Sequence, residues 1–306
     1  MQANRRISRV LMGLALAAVA CFAGAQPVQV ATGGKDGTYS RMLAQMGSRC
    51  ATATPLIESN TSGSMEALDK LMENQVSLAF VQTDVLHLRA RTEDVGQIKT
   101  LVALHPEQVH IVAREDQPLK SGGIAGFGGK SRPVTELSDL AGQNVGAAGG
   151  SYVTAQVMRL QSEVPFGVTN FDSNSAALKA LDAGQVKAII MVGGAPFPTV
   201  AALGKPYKLV AIAPATVEKL KGVYKPARLT YAKLGAAGVP TVATEAVLAT
   251  RDYKTARMAD ALLNLRRCVV TNLDDLKERT GTHPAWQHVS GDNKGKWAWY
   301  DPKGNS

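Results

Sequence analysis

Thr32-Gly33-Gly34-Lys35-Asp36-Gly37-Thr38-Tyr39 joins an apolar run at residues 28–31 to a stretch with Met42, Leu43 and Met46 at helical spacing. A glycine-rich turn from strand to helix leaves backbone N–H groups unpaired at the positive end of the helix, where a carboxylate or phosphate can be held. It is not a dinucleotide fingerprint, because Thr32 stands where the first glycine of G-x-G-x-x-G belongs. Three further turns repeat the plan: Ser59-Asn60-Thr61-Ser62-Gly63-Ser64, Gly146-Ala147-Ala148-Gly149-Gly150-Ser151-Tyr152 and Gly193-Gly194-Ala195-Pro196. Each follows a predicted strand, the place where open α/β sheets bind their ligands.

Outward from these turns, the pattern alternates. Strands are expected at 28–31, 56–57, 78–81, 99–104, 109–114, 144–147, 188–192, 207–212 and 241–249. Helices are expected at 39–49, 64–74, 151–161, 173–183, 255–266 and 273–278, with Asp84 as the cap of another after 78–81. Residues 120–134, rich in Gly, Ser and Lys, read as a surface loop. The rhythm predicts α/β lobes built on parallel sheets wrapped by helices.

The chain of 306 residues has room for two domains. Its start reads as an export leader: Arg5, Arg6 and Arg9, an apolar segment from Leu11 to Phe22, then Ala23-Gly24-Ala25 before the expected cut. That apolar segment is shorter than the ~20 residues needed to span a bilayer. Loss of the three arginines lowers the formal net charge from +9 to +6. No run of Lys and Arg interleaves with aromatics, so nucleic acid is not an expected partner. Cys50 and Cys268 remain beyond the leader as a candidate disulfide or as two buried thiols.

Catalytic and metal readings find little support. Gly149-Gly150-Ser151-Tyr152-Val153 is not a G-x-S-x-G elbow, and no serine has a legible His and Asp beside it. His87, His105, His110, His283 and His288 do not fall at ligand spacing and read as surface or capping groups. No enzyme activity, cofactor or metal is expected, and an exported hydrolase is the residual enzyme alternative.

Several stretches resemble the TAXI-type solute receptors of TRAP transporters, within the class II periplasmic binding proteins. They are Thr32–Tyr39, Thr61-Ser62-Gly63-Ser64-Met65-Glu66-Ala67-Leu68, Val81-Gln82-Thr83-Asp84, Pro106-Glu107-Gln108-Val109-His110-Ile111-Val112 and Glu136-Leu137-Ser138-Asp139-Leu140-Ala141-Gly142. The resemblance implies an α/β two-lobed clamshell, each lobe a mostly parallel sheet flanked by helices, with two crossing segments. It implies a leader at 1–25, a first lobe from 26–112 plus 246–306, and a second lobe at 113–245. Ligand contacts would fall on Gly33, Gly34, Thr38, Tyr39, Ser62, Ser64, Gln82, Gly150 and Ser151, with Tyr152 and Gly194 from the third and fourth turns. The C-terminal segment of this fold returns to the first lobe, which favours a Cys50–Cys268 bridge and puts Trp286, Trp297, Trp299 and Tyr300 against that lobe. The implied function is periplasmic capture of a small carboxylate by a monomer, and its delivery to a TRAP permease driven by an ion gradient. A sensing module docked on a membrane receptor kinase is the alternative.

Overall fold

The computed structural model describes residues 27–35, 37–121, 130–290 and 297–303. The expected leader lies outside the described residues. The first part of the chain runs β1 (Val28–Ala31), α1 (Thr38–Cys50), β2 (Leu56–Ser59), α2 (Ser64–Met72), β3 (Leu78–Gln82), α3 (Thr83–Arg89) and β4 (Ile98–Arg114). β5 (Leu119–Ser121) and β6 (Lys130–Arg132) then pair antiparallel, and most of the surface loop expected at 120–134 (residues 122–129) lies outside the described residues. Next come β7 (Asn144–Ala148), α4 (Gly150–Ser162), β8 (Gly167–Phe171), α5 (Asn174–Asp182) and β9 (Ala188–Gly193). Then α6 (Pro198–Ala202), β10 (Tyr207–Leu209), α7 (Pro214–Leu220) and β11 (Lys225–Tyr231) lead to β12 (Ala236–Arg251), α8 (Ala256–Thr271) and α9 (Leu273–Glu278).

The result is a two-lobed α/β fold, with a sheet ordered β2-β1-β3-β12-β4-β9-β7-β8. Within it, β2, β1 and β3 pair in parallel in one lobe, and β8, β7 and β9 do so in the other. The strands between them, β12 and β4, pair antiparallel with their neighbours and with each other. The antiparallel pairs of this sheet thus all involve β4 or β12, and the strands proper to each lobe are parallel, as the βαβ rhythm predicts. That rhythm builds the local units, while β12 meets β3 and β4 from far along the chain.

The two crossing segments are the long strands themselves. β4 is one strand of 17 residues, where the sequence predicts two with a break at Pro106. Pro106 has no N–H for a ladder and would normally end a strand. Here it faces Glu245, and the register with β12 shifts between Glu245 and Val247, so the irregularity is absorbed by the partner.

Apolar alternation fills three cores. One lies within the first lobe, where Met42, Leu43 and Met46 of α1 meet Leu262 and Leu265 of α8, with Trp286 and Tyr300. One lies within the second, around Leu181, Ile189, Met191 and Tyr231. The third runs between lobes, from Leu68, Val85 and Leu86 to Val153, Val157 and Met158, where α3 packs on α4. Cys50 and Cys268 form a disulfide between α1 and α8, with Cα atoms 5.9 Å apart. The aromatic tail lies on the first lobe: Trp297 Nε1 donates to the Ile98 carbonyl, and the Tyr300 N–H donates to that of Thr100.

Candidate functional site

Between the lobes lie two chambers that share Gly37, Thr38 and Phe197 in their walls. The deep one has a volume of about 220 Å³ and the outer one about 560 Å³. Gly33, Thr38, Tyr39, Ser64, Gln82, Gly150 and Ser151 line the deep chamber, and Gly194 lines the outer one. Seven of the expected residues, from three separated turns and the end of β3, are thus brought to one chamber.

The other three expected residues are engaged elsewhere. The Gly34 carbonyl accepts the Gly37 N–H at 3.0 Å and so closes the first turn. Ser62 donates both its N–H and its hydroxyl to Glu66 Oε2, each at 2.8 Å, which makes it a helix-start group. Tyr152 packs on the core between the lobes, and its hydroxyl accepts from Gln156 Nε2 at 3.0 Å. The reason lies in helix periodicity: Tyr152 points away from the buried Ser151 and lies half-buried beside Gln156, one turn further on.

Three helices point their N-termini into the deep chamber. The residues preceding α1, α2 and α4 are Gly37, Gly63 and Gly149, and none of these helices has a side-chain cap. Their first N–H groups consequently face the chamber with the positive ends of three dipoles behind them. Gly63 (φ 147°) and Gly149 (φ 54°) hold backbone conformations that side chains disfavour. A Cβ on Gly63 would lie 3.2 Å from the Gly150 nitrogen, so the lobes meet backbone against backbone at the chamber's edge.

The chamber floor is a polar cluster in which sequence reading found only Tyr39 and Gln82. Gln82 Nε2 donates to Glu107 Oε2. His105 Nε2 lies 3.2 Å from Glu107 Oε1, an ion-pair distance with poor hydrogen-bond alignment. Burial pushes the Glu107 carboxyl up, but contacts with His105, Gln82 and Tyr39 outweigh it and hold the group below its usual range. Burial and the neighbouring Glu107 raise the Tyr39 hydroxyl well above its ordinary value, so it stays a phenol. The legible signal for the missed pair is a His and a Glu inside the apolar run from Leu101 to Val112. His105 and His110 are fully buried, contrary to their reading as surface groups.

Phe197 stands where the chambers join. Its N–H donates to Tyr231 Oη at 2.7 Å, that oxygen lies 2.7 Å from His110 Nε2, and the Phe197 ring packs on His110. Burial lowers the His110 pKa to about 4, which keeps the ring neutral at physiological pH. Ser151 Oγ accepts the Val192 N–H at 3.0 Å, which ties its hydroxyl to β9. Among the described residues, no group of three or more His, Cys, Asp or Glu is placed to hold a metal ion.

A family model described as NMT1-like matches residues 30–295. The chain belongs to the NMT1-like family. Its fold is similar to that of a solved periplasmic transporter, at 13% identity over 87% of this chain and 89% of the other, with a TM-score of 0.52. It is also similar to a protein from Bordetella bronchiseptica RB50, at 17% identity over 86% and 76% of the two chains, with a TM-score of 0.51. These likenesses are of fold. The expected periplasmic binding protein architecture is present, and the matching family is described as NMT1-like, not by the narrower TAXI name.

The NMT1-like protein also carries a buried carboxylate on its interlobe face. Asp84 does not cap α3 from outside: it lies within the helix and accepts from Thr154 Oγ1 at 2.6 Å and Tyr224 Oη at 3.0 Å, both from the second lobe. Burial raises its pKa, against the pull of those two donors.

Proposed function

We propose that this protein is a solute-binding protein that captures a small carboxylate between its lobes and hands it to a membrane permease. The observation that carries this reading is the convergence of three uncapped helix N-termini on one chamber, a constellation suited to an anion. The two chambers together fall within the ordinary range for small-molecule sites. The periplasmic transporter of similar fold supports export and transport. Resemblance of the turn motifs to TAXI receptors supports a TRAP permease as the recipient.

Native mass spectrometry on protein purified without refolding is the direct test, followed by a thermal-shift screen of carboxylates. A retained carboxylate, or stabilisation by one, is the expected result; protein that is empty and unmoved by any carboxylate refutes the reading. For the permease, uptake that collapses when the ion gradient is dissipated is expected. Uptake that instead tracks ATP rejects the TRAP assignment and leaves solute capture standing.

A further inference from the structure

Gln82 is 5% exposed and faces the deep chamber. Its amide orientation is dictated by its neighbour: an ionised Glu107 carboxylate can only accept, so the nitrogen must be the end that donates to it. The other end, Oε1, is then an acceptor aimed into the chamber, buried and without a hydrogen-bond partner. A buried acceptor in that state costs free energy until a donor arrives. The helix N-termini do carry N–H donors, but none of them bonds to Gln82 Oε1, so its partner must come from what enters the chamber.

We propose that the deep chamber selects carboxylic acids that carry an N–H or O–H donor beside the carboxylate, 2-amino or 2-hydroxy acids, and that Gln82 is the residue that reads the donor. This rests on the carboxylate-binding reading above and narrows it. The two recognition elements are close: a Cβ on Gly150, at the start of α4, would lie 2.8 Å from Gln82 Oε1. An acid whose oxygens sit on the α4 N-terminus therefore meets the Gln82 acceptor with a substituent on a neighbouring carbon. The outer chamber, walled by Pro196, Phe197, Pro198 and Pro284, leaves room for an apolar or aromatic remainder. Acids with no donor satisfy the helix ends but leave Gln82 Oε1 buried and unpaired.

Isothermal titration with matched pairs tests this on the wild-type chain: lactate and alanine against propanoate, and 3-phenyllactate and phenylalanine against 3-phenylpropanoate. In at least one set, the donor-bearing acid should bind about 10- to 100-fold more tightly than its parent. Gln82→Leu, and Gln82→Met as a second variant, should bring that ratio close to one in folded protein, chiefly by weakening the donor-bearing acid. Equal affinity within every pair in the wild type overturns the proposal and leaves carboxylate capture intact. So does a ratio unchanged in folded Gln82 variants. Failure of every acid to bind overturns the carboxylate reading and this proposal together.

Discussion

Tyr224→Phe removes one oxygen atom from the interface between the lobes and nothing else. The ring is fully buried and keeps its packing, while Asp84 loses the donor 3.0 Å from Oδ2 and retains Thr154 at 2.6 Å. A hydrogen bond to a charged group contributes roughly 1.5–3 kcal/mol, so about 2 kcal/mol should be lost near neutral pH. For a chain of this length that lowers the melting midpoint by about 3 °C. The loss should also depend on pH. Asp84 is raised above its ordinary 3.8, so its contribution is fully present below that value and is lost as pH climbs through the raised one. Without Tyr224 the ionised form has one donor fewer, and the pKa moves higher still. The deficit of the variant should therefore be larger near neutral pH than at about pH 4, where the protonated carboxyl accepts a weaker bond. Calorimetric melting of both proteins at the two pH values reads this directly. An equal deficit at both, or none, refutes the assignment of Asp84 as a buried acceptor bridging the lobes.

Three further perturbations follow from the same geometry. Glu107→Gln removes the buried carboxylate that accepts from Gln82 and should cost about 2 kcal/mol in urea unfolding near neutral pH. Because the Glu107 carboxyl is held below its ordinary value of 4.5, its stabilisation is present above that value and lost as pH falls through the lowered one, so the variant should show a flatter acid limb. Replacing Cys50 and Cys268 by Ser opens a link across 218 residues, an entropic loss of about 5 kcal/mol, and should lower the urea midpoint to that of the reduced wild type. Gly63→Ala forces a side chain into a φ of 147° and places its Cβ 3.2 Å from the Gly150 nitrogen. A cost of about 1–3 kcal/mol and a larger radius by small-angle scattering are expected, and an unchanged radius would contradict backbone contact between the lobes.

What could be read in advance was what local chemistry governs. Gly33, Gly37, Gly63, Gly149 and Gly150 are legible because a turn between strand and helix demands them, and the residues just after them start the helices. The parts that stayed hidden depend on partners distant in sequence. Asp84 reads as a cap because acids favour helix starts, yet Thr154 and Tyr224 decide its role from 70 and 140 residues away. Pro106 reads as a strand break, and only the irregular register of β12 shows how β4 continues through it. Pro226 similarly masks β11, which pairs with β12 along an edge. Ser62 and Ser64 stand two apart in one turn, and nothing local tells that the first serves Glu66 while the second meets Gln82.

The bridge between α1 and α8 has a consequence for how the molecule is made and unmade. It closes a covalent ring that contains the whole second lobe and both passages between the lobes. A chain emerging from its N-terminus presents Cys50 early, but the ring cannot shut until Cys268 has followed, so the lobe begun first is sealed last. The same ring holds the molecule together after damage: a protease that nicks any loop between the two cysteines yields fragments that still travel as one. Held at high effective concentration by the tether, they can keep their pairing until a reductant parts them.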